Sequence, residues 1–201
     1  MSENDANKEI SFEAACFSTN YTNFSSISIL KQYFMSTKCS DIEYNNDFTV
    51  TFKHTLSIEN NNSIECKTTY TEICPLSKNV KFEDMDCVVV FFDLENTDSL
   101  SELNKILKNI SELLSAEKKV YVVSFYTNEK NIKNNYTEDD VQSFIGRYMI
   151  DNYDIFKVNM DSYELAEKID KIAIETLQEK NIINGNKDFD TDKSKSMCSI
   201  L

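Results

Sequence analysis

Glycine, proline and histidine are scarce in this sequence of 201 residues. It contains two glycines, Gly146 and Gly185, one proline, Pro75, and one histidine, His54. Turns must therefore be built largely from Asn, Asp and Ser, whose side chains form the local hydrogen bonds that stabilise turns. Loops that need several glycines, so that backbone N–H groups can approach a ligand closely, are excluded.

The cysteine pattern argues against both disulfides and a zinc site. Six cysteines are spread along the chain without a CxxC pair, and a single histidine is available to complete a set of zinc ligands. The first eight residues are polar and acidic, and they lack the apolar core of a secretory signal. We therefore expect reduced thiols and no bound metal or other cofactor.

Basic residues are outnumbered by acidic ones, 21 to 34, which gives a formal net charge of −13. Phosphate binding needs a basic surface, so the charge argues against nucleic acid as a partner. Apolar runs are short as well: the longest, 87–92, has the length of a strand, and no stretch is long enough to span a bilayer. With 41% hydrophobic residues the chain can still build a substantial core.

Hydrophobic periodicity predicts strands and helices in alternation. Unbroken β-branched and aromatic runs at 87–93 and 119–126 are typical of parallel strands that are buried on both faces. The complete set of predicted strands is 10–17, 48–58, 64–71, 87–93, 119–126 and 155–158. Helices with apolar residues at helical spacing are predicted to begin near Ser25, at Thr97 or Asp98, after Thr137, and near Asp161 or Ser162.

This order predicts one α/β domain over residues 10–180. Strands that alternate with helices indicate a mainly parallel sheet with helices on both faces. The second and third strands are joined by three asparagines and are predicted to form a hairpin, which adds one antiparallel edge strand. Three further segments are predicted to be flexible or polar: an acidic arm at 1–9, a loop at 36–46 and a tail at 181–201.

The last four residues match a lipidation signal. Cys198-Ser199-Ile200-Leu201 fits the C-a-a-X pattern, and a terminal leucine favours a geranylgeranyl group over a farnesyl group on Cys198. The alternative is an unmodified cysteine in the tail. Prenylation predicts a protein at the cytoplasmic face of a membrane, with a cytosolic pool that is held by a prenyl-binding carrier.

The order of elements over 8–180, together with this C-terminus, resembles the Ras superfamily of small GTPases. The local resemblance is strongest at 84–114, which is similar to the family's fourth strand, acidic turn and following helix. Ser25-Ser26 at the start of the first helix and Asp47-Phe48 at the second strand are similar in kind. The resemblance implies a six-stranded, mostly parallel sheet with one antiparallel edge strand, and GTP or GDP with Mg²⁺ as the ligand. It does not distinguish Ras, Rab and Rho.

The phosphate loop of that family is degenerate here. The pattern GxxxxGK[ST] supplies backbone N–H groups and a lysine to the phosphates, and a hydroxyl to Mg²⁺. In the matching stretch, Ser18 and Asn23 replace the glycines and Phe24 replaces the lysine. Ser25 retains the hydroxyl, and it is either a weak candidate for Mg²⁺ or a helix cap.

The other nucleotide motifs are degenerate as well. The region after the third strand, 70–75, has no DxxG turn, and Glu43 stands where the family supplies a threonine to Mg²⁺. Asn128 lies where the family selects guanine with an aspartate, and it could hydrogen-bond a base only as an amide.

Three functions are open from these residues. The leading interpretation is a prenylated pseudo-GTPase that binds proteins in trafficking or signalling, through loops 36–46 and 72–84. The second is a divergent but active GTP-binding protein. The third is an unrelated doubly wound α/β domain with a coincidental tail.

Overall fold

Seven strands and four α-helices make up the described part of the chain. The computed structural model describes residues 10–20, 22–36, 40–46, 48–58, 62–74, 82–114, 118–132, 138–160 and 163–183. The strands are β1 Ile10–Ser18, β2 Ser40–Asn46, β3 Thr49–Ile58, β4 Asn62–Glu72, β5 Cys87–Asp93, β6 Lys119–Tyr126 and β7 Tyr153–Asn159. The helices are α1 Ser26–Ser36, α2 Ser99–Leu113, α3 Glu138–Arg147 and α4 Glu164–Glu179, with a short 3-10 turn at Glu129–Asn131.

The strands form one mixed sheet in the order β2-β3-β4-β1-β5-β6-β7. Strand β1 lies between β4 and β5 and is parallel to both, and the sheet continues parallel through β6 to β7. Strand β3 runs antiparallel to its two neighbours, β2 and β4. The carboxyl ends of the five parallel strands β4, β1, β5, β6 and β7 therefore lie at the same edge of the sheet.

Helices cover the sheet on both faces, as the alternation predicted. Helices α1 and α4 pack on one face, and α2 and α3 pack on the other. The strand β5 is buried at each of its seven positions, which explains its unbroken apolar sequence. The apolar stripe of α2, Leu103, Ile106, Leu107 and Ile110, is buried at the predicted helical spacing.

The prediction of six strands with one antiparallel edge strand is wrong in its details. Strand β2, Ser40–Asn46, lies within the segment 36–46 that was expected to be a loop. The predicted edge strand, β3, is consequently an inner strand between β2 and β4. In its sequence, SDIEYNN, only Ile42 and Tyr44 alternate with polar residues, which is too short a pattern to mark a strand.

The α/β class and the mostly parallel sheet are confirmed, and β5 and β6 begin and end where the sequence predicts. The structure is described as far as Ile183, whose side chain is buried against the α1 and α4 side of the core. Among the described helices, none combines the length and apolar character needed to cross a membrane. The predicted arm at 1–9, the cap at Thr137 and the lipid site Cys198 lie outside the described residues.

Candidate functional site

A polar cleft lies at the carboxyl edge of the sheet, between the turn that follows β1 and the loop that follows β5. Ligands of open α/β sheets bind at this edge. The cleft has a volume of about 700 Å³. Its lining consists of amides, hydroxyls and carboxylates with one aromatic ring: Asn20, Thr22, Asn23, Phe24, Asp93, Glu95, Asn96, Thr97, Asp98 and Asn131.

The turn from Ser18 to Phe24 is closed by hydrogen bonds within itself. The Ser18 hydroxyl donates to the Phe24 carbonyl at 2.5 Å and accepts from the Asn20 N–H at 3.2 Å. The N–H groups of Asn23 and Phe24 both donate to the Asn20 carbonyl, at 3.0 and 2.7 Å. These backbone donors are satisfied inside the turn, so they do not form a cradle for phosphate.

Phe24 turns its ring into the core. It is half-buried and packs against the α1 and α4 side of the core, with its ring edge-on to that of Phe125 at a centroid distance of 6.1 Å. Such an aromatic pair contributes about 0.5–1.5 kcal/mol beyond the burial of its area. At the position of the family's lysine, the chain therefore places a packing residue.

Ser25 caps helix α1. Its hydroxyl accepts a hydrogen bond from the N–H of Ser28 at 3.1 Å and lies 2.9 Å from the Ser28 hydroxyl. This satisfies one of the N–H groups that the first turn of a helix leaves without a partner. The geometry is that of the capping alternative, and the described residues contain no group of three or more His, Cys, Asp or Glu side chains that could hold a metal ion.

A buried glutamate satisfies the next donor of the same helix. Glu72, the last residue of β4, is 6% exposed, and its Oε1 accepts hydrogen bonds from the backbone N–H of Ser26 and from the Ser26 hydroxyl, the latter at 2.6 Å. Ser26 is the first residue of α1, where the helix dipole favours negative charge. The carboxylate therefore lies where a helix N-terminus would accept an external anion.

Asp93 connects the two segments that flank the cleft. This carboxylate, 3% exposed, accepts from the Asn20 side-chain amide at 2.7 Å and from the Glu95 N–H at 2.8 Å. Its own N–H donates to the Thr19 hydroxyl at 3.1 Å. Asp93 thereby joins the turn after β1 to the loop after β5.

Glu95, in the loop after β5, accepts hydrogen bonds from the loop after β6. Its Oε1 accepts from the N–H groups of Thr127 and Asn128, at 2.8 and 2.7 Å, and from the Thr127 hydroxyl at 2.8 Å. The Asn128 side chain accepts from the Lys130 N–H at 3.0 Å and so caps the 3-10 turn. The amide that was considered for base recognition is thus engaged within its own loop.

The residues of this cleft do not fit a nucleoside triphosphate with Mg²⁺. Three carboxylates line it, and among its described lining residues there is no lysine, arginine or histidine. The N–H groups of Ser26, at the start of α1, and of Asn128, in the loop after β6, already donate to Glu72 and Glu95. Negative phosphates in such a cleft would meet like charge without a neutralising cation.

Sequence reasoning identified the turn and missed its partners. Ser18 ends β1, and Asn23, Phe24 and Ser25 follow it before α1 begins, while Asn128 lies at the start of the 3-10 turn after β6. Glu72 and Glu95 were not singled out, although each is a glutamate at or just beyond the carboxyl end of a strand. That position in the pattern is the only signal that could have drawn attention to them.

The described cysteines are free thiols, and burial raises the pKa of the three that are buried, Cys16, Cys66 and Cys87. The fourth, Cys74, is exposed. Burial, with a contribution from the nearby Asp86, raises the pKa of the Cys66 thiol to about 12. A protonated thiol is a poor nucleophile, so no catalytic cysteine is indicated among the buried three.

No protein-family model matches the chain, and no curated protein is significantly similar to it. The resemblance to small GTPases therefore depends on the element order and the C-terminal motif.

Proposed function

We propose that this protein is a membrane-tethered pseudo-GTPase, which keeps a small-GTPase-like architecture without guanine-nucleotide binding and acts by binding other proteins. One observation carries the proposal: the carboxylate of Glu72 accepts hydrogen bonds from the first residue of α1, where the phosphates of a nucleotide would lie. An anionic ligand there would have to displace a buried anion of the chain itself.

Two further features support the loss of nucleotide. Phe24 packs into the core at the lysine position, so the site has no cation to neutralise phosphate. Glu95 accepts the N–H groups of the loop that would face the base. Each feature removes a different part of the interaction with a nucleotide, so restoring one residue should not restore binding.

Titration of a fluorescent GDP or GTP analogue, with and without Mg²⁺, tests the proposal. We expect no saturable binding at micromolar protein, and none for Phe24→Lys, which leaves Glu72 and Glu95 in place. The purified protein should also release no guanine nucleotide when it is denatured. Tight, Mg²⁺-dependent binding, or nucleotide recovered in near one-to-one ratio, would instead favour the divergent active GTPase.

Attachment through Cys198 is the second part of the proposal. The tail carries three lysines, Lys187, Lys193 and Lys195, that are balanced by three aspartates, so it offers no basic cluster as a second membrane signal. We therefore expect a protein that is divided between membrane and cytosol. Cys198→Ser should move it wholly to the cytosol when cells are fractionated, whereas equal membrane recovery of both forms would exclude the lipid.

The edge strand β2, together with Phe48 just before the neighbouring β3, is the proposed surface for protein partners. It includes part of 36–46, and two of its apolar side chains, Ile42 and Phe48, are exposed. An exposed edge strand can also pair with a strand of another protein. A photo-crosslinking residue at position 42 or 48 should capture a partner in cells, while the same probe at Met149, which is exposed near α3, should not.

A further inference from the structure

Helix α1 begins against a carboxylate that has no cationic partner. Among the described residues, no lysine, arginine or histidine forms an ion pair with Glu72. Its Oε1 instead accepts both donors of Ser26, the N–H and the hydroxyl, and Ser26 is fully buried. The charge of Glu72 is therefore stabilised by hydrogen bonds and by the positive end of the helix dipole.

We propose that Glu72 is a tethered anion, which occupies the anion-binding end of α1 and closes it to any free anion. This inference deepens the proposed function, on which it rests, because it names the contact that excludes phosphate-bearing ligands. It also makes a distinct claim: the end of α1 keeps its capacity to bind an anion, and Glu72 supplies that anion from within the chain.

The backbone holds Glu72 in place independently of its carboxylate. Its N–H donates to the Phe48 carbonyl at 2.7 Å, and the following N–H, of Ile73, donates to the Cys16 carbonyl at 2.7 Å. Truncation of the side chain should thus leave β4 in position and remove only the anion. Ser25 and Phe24, which adjoin Ser26, are partly exposed, so the vacated space lies close to solvent-accessible residues.

Chemical rescue of Glu72→Ala tests the proposal. The substitution deletes a fragment with the size and charge of acetate. We expect the variant to unfold at a lower temperature than the wild type, and its unfolding midpoint to rise with sodium acetate relative to sodium chloride at the same ionic strength, as it does for a ligand that binds only the folded state. If the variant is unfolded in chloride, acetate should restore its circular dichroism spectrum.

Three matched controls isolate the role of charge. Acetamide has the shape of acetate without its charge, so it should rescue Glu72→Ala much less. Glu72→Gln, whose amide fills the space, should not respond to acetate. Leu107→Ala leaves an apolar cavity in α2 with no anion donors, and it should not respond either, which shows that acetate does not stabilise every weakened variant.

The outcomes decide the inference. A specific response of Glu72→Ala to acetate supports it. No response, or an equal response to acetamide, overturns it, because Glu72 would then be a space-filling residue. The test involves no nucleotide, so a wild type that bound GTP alongside a rescued Glu72→Ala would contradict only the proposed function.

Discussion

The carboxylates at the two edges of the parallel sheet are stabilised in different ways. At the carboxyl edge, Glu72, Asp93 and Glu95 accept hydrogen bonds from backbone N–H groups, hydroxyls and an amide. At the amino edge the carboxylates pair with lysines. Lys119, at the start of β6, lies 2.7 Å from Asp154 on β7 and also contacts Glu179 and Glu175 on α4, while Lys180 pairs with Asp86.

The amino edge is therefore held together by ion pairs, whereas the carboxylates of the carboxyl edge accept hydrogen bonds from neutral donors. Ion pairs at the amino edge join α4 to β5, β6 and β7, so they stabilise the packing of the helix on the sheet. The carboxyl edge is where a phosphate ligand would need cations, and there the chain uses its own carboxylates and neutral dipoles. A site that is internally satisfied in this way has little remaining affinity for an external anion.

Removal of Asp93 should produce the largest effect. Asp93→Ala leaves the Asn20 amide and the Glu95 N–H without their buried acceptor, and we expect a loss of about 2–4 kcal/mol in the free energy of unfolding. Chemical denaturation measures it. Asp98→Ala is the matched control, because Asp98 lines the same cleft but is exposed and makes no side-chain cap bond, so its effect should stay within about 0.5 kcal/mol.

Removal of Lys119 should destabilise the protein less than removal of Asp93, and this destabilisation should depend on the salt concentration. Although burial acts to lower it, the hydrogen bonds to Asp154 and Glu179 raise the pKa of Lys119. Lys119→Met removes the lysine partner of Asp154 and Glu179, whereas Glu175 keeps its ion pair with Lys171. We expect a loss of about 1–3 kcal/mol in the free energy of unfolding that shrinks in 1 M NaCl.

The Asp93→Ala loss should be nearly independent of salt, since neutral dipoles rather than ions compensate that charge. Lys105→Met, at an exposed pair with Glu102, should change stability by less than about 0.5 kcal/mol. Equal salt dependence of the Asp93 and Lys119 variants would remove the contrast between the two edges.

His54 should contribute less to the free energy of unfolding than Asp93 or Lys119, and its contribution should depend on pH. Burial lowers the pKa of His54 to about 4. The tilted ring of Phe52 lies at a centroid distance of 4.8 Å, and a carboxylate oxygen of Asp170 lies 3.5 Å from His54 Nδ1. The unfolded chain has a histidine pKa of about 6.5, so it binds more protons between these values, and stability falls as pH drops through this range. We expect about 1–1.5 kcal/mol of His54-dependent loss between pH 6.5 and 5.

Denaturation of the wild type and His54→Gln at both pH values measures that loss. The variant should lack this component and keep the part due to carboxylates. Parallel pH profiles for the two proteins would show that His54 is charged as readily in the folded protein as in the unfolded chain.

The sequence predicted what depends on local pattern. The strands β5 and β6 were located at both ends because their sequences, CVVVFFD and KVYVVSFY, are dominated by β-branched and aromatic residues, which is typical of a parallel strand buried on both faces. The stripe of α2 was equally clear. Strand β2 was missed because only Ile42 and Tyr44 alternate with polar residues in SDIEYNN, and its pairing with β3 depends on backbone groups that every sequence has.

In the candidate site, too, some features follow from the sequence and others only from the tertiary structure. Composition and motifs alone determined that this chain has no glycine-rich phosphate loop and no lysine to serve it, since two glycines in 201 residues cannot form one. Only the tertiary structure decided what replaces it. Glu72 and Ser26 are 46 residues apart, and Glu95 and Asn128 are 33 apart. The pairing of β1 with β4 and of β5 with β6 brings these residues together, because parallel strands place their carboxyl ends at one edge whatever their separation in sequence.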